Sequence, residues 1–518
     1  MFCPEEQVSV PTLDLLTWTF ENVDRFPDHP VRSPVDRTDY GAGGCFVGAN
    51  PAYTYLELRH LLSISRAKLL IVDPDLLANI LPAASKCRIP DSNIFIFDTS
   101  SKRHSENFKN WRTLLNHGEQ HWVSFDDEAE AKNTISSLML TSGTTGLPKA
   151  AAISHYAQVA QGVMIRDLED KPYSIKLLLS LPQFHSFVIT IAHLKPVREG
   201  QTAYIMKRYE PKQYLKYINL YGITETAMVP PIVLNLLSLS PSEQRQLSHL
   251  RYIRCAGAPL SADTYRRFTK LLDPKAIFAQ IWGMSETGWI TTFPFPELDD
   301  SGSVGRLMPS MEAKIIAQDG THVLEDNHPG EIYVRGPSLM SGYLANSEAT
   351  QLAFAEGWLR TGDIGYCEKG RWYITDRAKE LIKVRGWQVS PTELEACLLT
   401  HPSIIDAAVI GVELSEQSGE LPRAYIVLKA SGSGRVTEAD IQTFVKERLA
   451  KYKALGGGVK FLGRIPKGAS GKILRKQLKE MAAEELRVER SAAWNGANGT
   501  NGYASQVAND PRSQDSRP

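Results

Sequence analysis

A run of small polar residues between two apolar stretches is the part of this chain best suited to hold a phosphate. The run comprises Thr141, Ser142, Gly143, Thr144, Thr145, Gly146, Leu147, Pro148 and Lys149, between the apolar stretches 135–140 and 150–153. Glycines let the backbone approach a phosphate closely, hydroxyl and N–H groups donate to its oxygens, and a lysine adds positive charge. The run lacks the Gly-Lys-Ser or Gly-Lys-Thr ending of a Walker loop. Taken alone, it fits an ordinary flexible turn as well as a phosphate loop.

The bulk composition is that of a globular enzyme without an excess of charge. The chain has 518 residues, 42% hydrophobic and 22% charged, and its 58 basic side chains equal its 58 acidic ones. This balance gives no reason to expect nucleic acid or a membrane surface as a partner. The scattered cysteines form no Cys-x-x-Cys pair, which favours a reducing compartment over a disulfide framework or a zinc site. Neither a secretory signal nor a membrane-length apolar run is evident, so we expect a cytoplasmic protein.

Alternating helix and strand patterns surround the phosphate loop and predict an α/β fold. The predicted strands are 67–73, 93–97, 135–140, 150–153, 177–181, 202–206, 227–229, 276–281 and the start of the run 252–260. The predicted helices are 13–20, 76–81, 155–165, 211–221 and 232–237, with a further helical pattern ending at Leu62.

The pattern changes in the second half of the chain. From about residue 303, short strands with Gly and Pro turns predict a β-rich subdomain. A charged junction, 376–380, then leads to an α+β piece whose first helix should begin at a capping box of Ser390 and Glu393. We therefore predict a large N-terminal domain, 1–375, of α/β subdomains plus the β-rich one, and a small C-terminal domain, 381–482. The tail 491–518 has little to bury and is predicted to be disordered.

Further short motifs follow the phosphate loop in the chain. They are Ile281-Trp282-Gly283-Met284-Ser285-Glu286, Thr361-Gly362-Asp363, the stretch 376–395 and Pro466-Lys467-Gly468-Ala469-Ser470-Gly471-Lys472. In type and order they resemble the motifs of the adenylate-forming superfamily, which includes acyl-CoA synthetases, 4-coumarate–CoA ligases, luciferases and peptide-synthetase adenylation domains. The resemblance covers roughly residues 50–476. It implies an ATP-dependent acid–thiol ligase that makes an acyl-adenylate, then an acyl-CoA, and releases AMP and pyrophosphate.

The resemblance also implies roles for individual residues in the first half-reaction. It assigns ATP binding to Thr141, Ser142, Gly143, Thr144, Thr145, Lys149, Gln280, Ser285, Asp363 and Arg377. Glu286 would bind Mg²⁺, Asp363 would accept from the ribose hydroxyls, and Lys472 would bridge carboxylate and phosphate oxygens. Each has a plainer alternative when taken alone: a surface carboxylate, a turn-forming aspartate and a solvated lysine.

A second half-reaction in this family follows rotation of the C-terminal domain. The resemblance makes 381–482 a mobile domain that turns about a hinge near Lys379. Lys383 would then lie near the acyl-adenylate, and Arg385 and Gly386 beside the pantetheine of CoA. Arg208 resembles a basic position that contacts the CoA phosphates.

The acyl pocket is the part on which the sequence says least. His185, Phe187, Ile191 and Gly257 resemble positions that line the pocket, as does Gln280. We do not interpret His185 as a general base, because a lone histidine is more often structural. Phe187 and the small Gly257 leave room for a planar aromatic or a medium-chain aliphatic acid.

One departure from the family pattern concerns the N-terminal subdomain. In relatives, a strand–helix segment of several dozen residues precedes Asn-Pro-Ala-Tyr-Thr, whereas here the glycine-rich stretch 40–44 leads almost directly into Asn50. Loss of a buried strand could rival the roughly 5–15 kcal/mol that stabilises a domain. Either the remaining strands close the gap, or the chain folds poorly.

Alternative functions therefore stay open beside the CoA ligase. One is a stand-alone adenylation enzyme that loads a carrier protein, and another is a nucleotide-binding remnant without catalysis. The expected small-molecule partners are a carboxylic acid, ATP with Mg²⁺, and CoA, and a carrier protein or downstream synthase is the protein partner to be considered. A nucleophile-elbow hydrolase is disfavoured, because the run 283–287 lacks the second glycine.

Overall fold

The computed structural model describes most of the chain. It covers residues 2, 6–21, 43–97, 107–117, 121–141, 148–258, 260–317, 319–323, 325–378, 380–384, 387–414, 420–429, 436–468 and 471–499. For residues 117, 383, 387, 388 and 488–499 it describes the backbone alone. The predicted site residues Ser142, Gly143, Thr144, Thr145, Lys379, Arg385 and Gly386 lie outside the described residues.

A five-stranded parallel sheet forms the centre of the large domain. Its strands, in spatial order, are Ile277–Gln280, Tyr252–Cys255, Glu225–Met228, Lys176–Leu179 and Thr202–Ile205. The inner strands are almost wholly buried, as expected for a parallel sheet covered on both faces. The covering helices are His155–Met164, Ser186–Ile189, Lys195–Arg198, Pro211–Tyr221, Pro230–Leu237, Pro241–Gln244 and Ala262–Thr269, with a π-helical turn at Thr190–Leu194. The predicted α/β architecture is confirmed.

A second sheet contains the hairpin that holds the predicted phosphate loop. Its order is Phe46–Val47, Ile135–Thr141, Lys149–Ser154 and Gly342–Tyr343. Thr141 and Lys149 are directly opposite each other where the hairpin opens into the loop 142–147. Because Gly342–Tyr343 pairs with Lys149–Ser154, a later part of the large domain is brought beside this hairpin.

The N-terminal part has a packed core despite its shortening. Strands Leu70–Val72, Ile94–Ile96 and Lys109–Asn110 form a parallel sheet with helices Tyr55–Ser65 and Leu77–Lys86, which confirms the predicted βαβ unit. Helix Leu15–Phe20 packs against the large domain in a separate cluster with Val159 and Leu194. The short helix Glu128–Asn133 precedes the phosphate-loop hairpin. Strand Phe46–Val47 still pairs with strand Ile135–Thr141 of the hairpin, so the outer edge of Ile135–Thr141 is covered.

Antiparallel strands dominate from residue 282 onward, as predicted for the β-rich subdomain. One sheet contains Trp282–Met284, Gly288–Thr292 and Arg306–Leu307. The larger sheet contains His322–Val323, Glu312–Ile316, Gly330–Arg335, Trp358–Glu368 and Phe354–Ala355, with Arg371–Arg377 beside the long strand. Helix Ser347–Ala353 connects strand Gly342–Tyr343 of the phosphate-loop sheet to strand Phe354–Ala355 of the larger sheet.

The C-terminal residues build a separate core that begins at Ile382. It consists of the hairpin Ile382–Val384 and Trp387–Val389, the sheet Ile404–Glu413, Glu420–Leu428 and Gly458–Phe461, and helices Pro391–Leu399, Glu438–Lys446 and Arg475–Gly499. The predicted start of disorder at residue 491 is wrong for 491–499, which are helical; residues 500–518 lie outside the described residues. Buried Leu478 and Ala482 already anchor the start of this helix. Each further turn therefore only extends an existing helix and avoids the unfavourable nucleation step. No helix among the described residues is both long and apolar enough to cross a membrane.

Candidate active site

The hairpin 282–292 connects the parts of the candidate site. It follows the edge strand of the five-stranded sheet, which ends at Gln280, and its turn presents Ser285 and Glu286. Gln280 is buried and donates to the carbonyl of Ser303 at 3.4 Å. Ser285 lines a cavity of about 30 Å³ between the hairpin and the helix that begins at Ser186.

One end of the site is centred on the buried carboxylate of Asp363. Trp282 Nε1 donates to Asp363 Oδ2 at 2.8 Å, and Arg377 Nε lies 3.2 Å from Oδ1. Gly362 adopts a positive φ of 69°, which bends the long strand just before the aspartate. Burial raises the pKa of Asp363, while Arg377 and Trp282 act in the opposite direction. The arrangement offers a carboxylate with two fixed donors at the edge of a cleft.

Lys472 approaches this carboxylate from the C-terminal domain. It stands on a tight hairpin in which Gly468 N donates to the carbonyl of Lys472 at 2.8 Å. Gly471, with a φ of 79°, passes so close to Pro231 that a Cβ there would lie 2.8 Å from the Pro231 ring. Burial first, and then the positive charge of Arg377, lower the pKa of Lys472 to about 8. The charges of Asp363 and Glu380 also act on it, so these groups share one environment.

The other end of the site is centred on Glu286. Tyr343 donates its hydroxyl to Glu286 Oε1 at 2.8 Å, and the nearby Thr141 side chain acts to lower the pKa of this hydroxyl. Lys149 Nζ lies 4.9 Å from the centre of the Tyr343 ring. Burial and the Glu286 charge raise the pKa of the tyrosine, so the hydroxyl remains a donor. The structure thus brings together Thr141, Lys149 and Glu286, as the sequence predicted, through a tyrosine that it did not predict.

The donor set around Glu286 fits Mg²⁺ bound mainly by phosphate oxygens. Among the described residues, no cluster of three or more His, Cys, Asp or Glu side chains could enclose a metal ion. Magnesium characteristically takes one or two carboxylates and completes its shell with water and substrate phosphates. A single buried carboxylate, next to a phosphate-loop hairpin, matches that requirement.

Aromatic side chains line the region predicted for the acyl group. His185 Nδ1 accepts from Phe187 N at 3.2 Å, and burial lowers the pKa of the histidine. His185 therefore caps helix Ser186–Ile189 through its side chain. The Phe187 ring lies 5.7 Å from that of Trp289, whose indole N–H donates to the Phe187 carbonyl. Ile191 is buried one turn further along.

The remaining predicted residues lie at the margins of the site. Gly257 follows the strand next to that of Gln280, since Cys255 and Gln280 are register partners. Arg208 is exposed, and we find no hydrogen bond or ion pair from it to another described residue. The backbone of Lys383 lies in strand Ile382–Val384 of the C-terminal domain, and its side chain is outside the description. The roles of these residues stay predictions.

Sequence reasoning missed Tyr343 and underrated Trp282 as partners of the charged groups. Tyr343 is 57 positions from Glu286, and Trp282 is 81 positions from Asp363. The sequence around Tyr343 shows only a Gly-Tyr pair in a short strand, and this pair does not reveal that Glu286 is the partner of the tyrosine. Arg475 and Glu380, which flank Lys472 and the hinge, were also missed.

Comparisons with known proteins agree with this geometry. A family model described as AMP-binding enzyme matches residues 40–344, and one described as AMP-binding enzyme C-terminal domain matches 393–472. Phenylacetyl-CoA ligase epaB of Aspergillus niger is 43% identical over 453 residues, which are 86% of this chain and 84% of that protein. Acyl-CoA ligase azaF of Aspergillus niger is 43% identical over 445 residues, 84% and 83% of the two chains. O-succinylbenzoate coenzyme A synthetase of Bacillus subtilis, solved with ATP and magnesium, has a TM-score of 0.69, 27% identity and 86% coverage of each chain.

The fold and the site define a nucleotide-binding enzyme in which the hairpin that bears Lys472 packs against Pro231, near Asp363. The chain belongs to the AMP-binding enzyme family, and it is an ATP-dependent acid–CoA ligase that works through an acyl-adenylate. A remnant that only binds a nucleotide is not favoured, and nothing supports a carrier-protein partner.

The Tyr343 hydroxyl should matter for the use of magnesium. Tyr343→Phe keeps the ring over Lys149 but removes the donor to Glu286, so we expect the apparent affinity for Mg²⁺ with ATP to fall about fivefold to tenfold. Calorimetric titration of ATP at graded Mg²⁺ concentrations measures this. Tyr366→Phe, on a half-buried tyrosine stacked with Tyr373, is the matched control. An unchanged Mg²⁺ dependence would show that the hydroxyl does not hold Glu286 in place.

Proposed function

We propose that the residues at the two ends of the cleft bind opposite ends of one ATP molecule. Asp363 accepts from the ribose hydroxyls, Arg377 donates to them, and the hairpin 141–149 holds the triphosphate. Ser285 donates to the α-phosphate from the turn between these ends. The observation that supports this assignment best is the continuous hairpin 282–292, which bonds to Asp363 through Trp282 and to Tyr343 through Glu286.

These groups supply what adenylation requires. A carboxylate is a poor electrophile, and the anionic triphosphate repels it unless the charge is neutralised. Lys149 and Lys472 provide positive charge from opposite sides, and Mg²⁺ on Glu286, when bound, would neutralise the phosphate oxygens. The close approach of Gly471 to Pro231 brings the hairpin that bears Lys472 against the large domain, which supports a role of this lysine in forming the adenylate.

For the acid, we propose an aromatic or arylaliphatic carboxylic acid. The rings of Phe187 and Trp289, which lie 5.7 Å apart and are tilted by 36°, provide apolar aromatic surface with buried Ile191 beyond them. Offset contact between aromatic rings adds stability beyond the area that it buries. The name of the relative epaB, a phenylacetyl-CoA ligase, supports the same class.

For the second half-reaction, we propose that the C-terminal domain, 381–482, turns about a hinge at 376–380. Lys383 then faces the adenylate, and Arg385 and Gly386 face the pantetheine of CoA, while Arg208 attracts its phosphates. Separate hydrophobic cores before Trp372 and after Ile382 support a rigid-body motion, because few buried contacts would have to break.

A screen of carboxylic acids tests this proposal. Purified protein is given ATP, Mg²⁺ and one acid at a time, and pyrophosphate release and thioester formation are followed with and without CoA. We expect phenylacetic or benzoic acids to give an adenylate without CoA and an acyl-CoA with it. Preference for straight-chain aliphatic acids would refute the aromatic class, and thioester formation only with a carrier protein would refute CoA as acceptor.

Adenylate formation should depend on pH through Lys472. Its pKa is lowered to about 8, and a lysine loses its positive charge as the pH rises through its pKa. The cationic fraction in the free enzyme therefore falls from about nine-tenths one unit below the pKa to about one-tenth one unit above it. We expect kcat/KM for ATP to decline above pH 8, measured by pyrophosphate release from pH 6.5 to 9.5. Thioester formation from pre-made adenylate should lack this decline, and a profile that stays flat to pH 9.5 would contradict the assignment.

A further inference from the structure

Arg475 occupies a position that helix stability does not explain. It is the first residue of helix Arg475–Gly499. A positive charge at a helix N-terminus is disfavoured by the exposed N–H groups and the helix dipole. Its side chain is nevertheless buried, with only 12% of its surface exposed.

Two carboxylates and a carbonyl hold the guanidinium in one orientation. Arg475 Nε donates to Glu380 Oε2 at 2.7 Å, while Nη1 and Nη2 donate to the two oxygens of Glu395 at 2.5 and 3.1 Å. Nη1 also donates to the carbonyl of Val409, whose own N–H donates to Glu395. Such paired, charge-assisted bonds fix direction as well as distance, and a lysine could not reproduce them.

These bonds join the hinge to the hairpin that bears Lys472. On one side, Leu474 N donates to the carbonyl of Pro466, and Lys467 bridges Ile473 across the hairpin. On the other side, Glu380 directly follows the predicted hinge residue, and its N–H donates to the carbonyl of Arg377. Since Arg377 pairs with Asp363, a continuous set of contacts leads from the ribose carboxylate to the lysine hairpin.

We propose that Arg475 is a positioning residue that sets the place of Lys472 relative to the hinge. Arg475 does not contact the substrate. It acts only while the C-terminal domain is closed for adenylate formation. This inference rests on the proposed function. A displacement of about 1 Å at a reacting group can cost on the order of 100-fold in rate, so loss of this link should impair one half-reaction selectively.

The test compares the two half-reactions in Arg475→Lys. We expect acid-dependent ATP–pyrophosphate exchange to fall at least about tenfold, while thioester formation from pre-made adenylate and CoA changes less than about twofold. Glu380→Gln should also lower exchange more than thioester formation, but by a smaller factor. This variant replaces Arg475→Lys as the test if Arg475→Lys does not fold. An equal loss of both half-reactions would overturn the proposal.

Arg423 provides a matched control in the same domain. It is even more deeply buried than Arg475 and ties strand Glu420–Leu428 to the same long helix, with Nη1 2.9 Å from Glu485 Oε2. Arg423→Lys therefore disrupts a buried arginine–glutamate ion pair that lies away from the hinge. We expect it to lower both half-reactions by the same factor, and a selective loss of exchange in this variant would also overturn the proposal.

A second readout does not depend on ligase activity. The rate at which an amine-reactive acylating reagent labels Lys472 at pH 8, measured by peptide mass spectrometry, reports whether the lysine is held against the large domain. Labelling should be faster in Arg475→Lys than in the wild type and unchanged in Arg423→Lys. If no acid supports exchange in the wild type, the proposed function fails, and this labelling still decides the role of Arg475. Equal labelling in all three proteins would refute it.

Discussion

Lys472→Ala should abolish adenylate formation and leave thioester formation from pre-made adenylate largely intact. Lys472 lies beside Asp363 and Arg377 with the C-terminal domain closed, and it supplies charge to oxygens that become more negative as the bond to the α-phosphate forms. Loss of one such preorganised group typically costs roughly 10²–10³-fold in rate. In the rotated state, a different face of the domain meets the adenylate, so the alanine should then have little effect. Acid-dependent pyrophosphate exchange and single-turnover thioester formation measure the two steps.

Lys467→Ala is the matched control for this substitution. Lys467 stands on the same hairpin, but its Nζ pairs with Asp406 at 2.6 Å within the C-terminal domain. We expect this variant to keep most of the pyrophosphate exchange. If both lysine variants lose exchange equally, the effect belongs to the hairpin rather than to the charge of Lys472. If Lys472→Ala loses both half-reactions equally, the assignment of the lysine to one state is wrong.

Glu286→Gln should lower pyrophosphate release by about 100-fold through loss of Mg²⁺ binding. The amide keeps the size of the side chain and an acceptor for Tyr343, so packing is preserved while the negative charge is lost. Without Mg²⁺, ATP should bind the variant at least as well as the wild type, because one carboxylate no longer repels the phosphates. With Mg²⁺, the wild type should gain affinity and the variant should not, which calorimetry can measure.

Glu331→Gln is the control for this prediction. Glu331 pairs with Arg360 at 3.3 Å on the surface of the β-rich subdomain. Its loss should change neither the binding of ATP nor its Mg²⁺ dependence. A Glu286→Gln enzyme with the normal Mg²⁺ dependence would place the metal elsewhere.

Local sequence patterns correctly predicted the strands that precede the candidate site residues along the chain. The apolar runs at 135–140 and 276–281 became the strands Ile135–Thr141 and Ile277–Gln280, because each is buried on both faces. Motif order also placed Asp363, Arg377 and Lys472 in one family of enzymes, and the structure brings their side chains together. These predictions depend on residue types and on short distances along the chain, and both can be read from a single sequence.

Contacts between distant residues could not be predicted in this way. The bonds from Tyr343 to Glu286 and from Arg475 to Glu395 depend on how separate strands and helices pack, and no local pattern encodes them. The capping box at Ser390 shows the same limit at short range. Ser390 accepts from Glu393 N as predicted, but the Glu393 carboxylate turns to Lys453 at 2.6 Å instead of closing the box. A charged partner from another helix thus displaced the local bond.

A structure of the enzyme with Mg²⁺ and a non-hydrolysable ATP analogue would test the central claim most directly. The claim is that one nucleotide spans the cleft from Asp363 to Glu286. We expect the ribose hydroxyls within hydrogen-bond distance of Asp363, the α-phosphate beside Ser285 and the metal ion on Glu286. A nucleotide bound with its ribose away from Asp363, or with Glu286 facing a different cavity, would contradict the account.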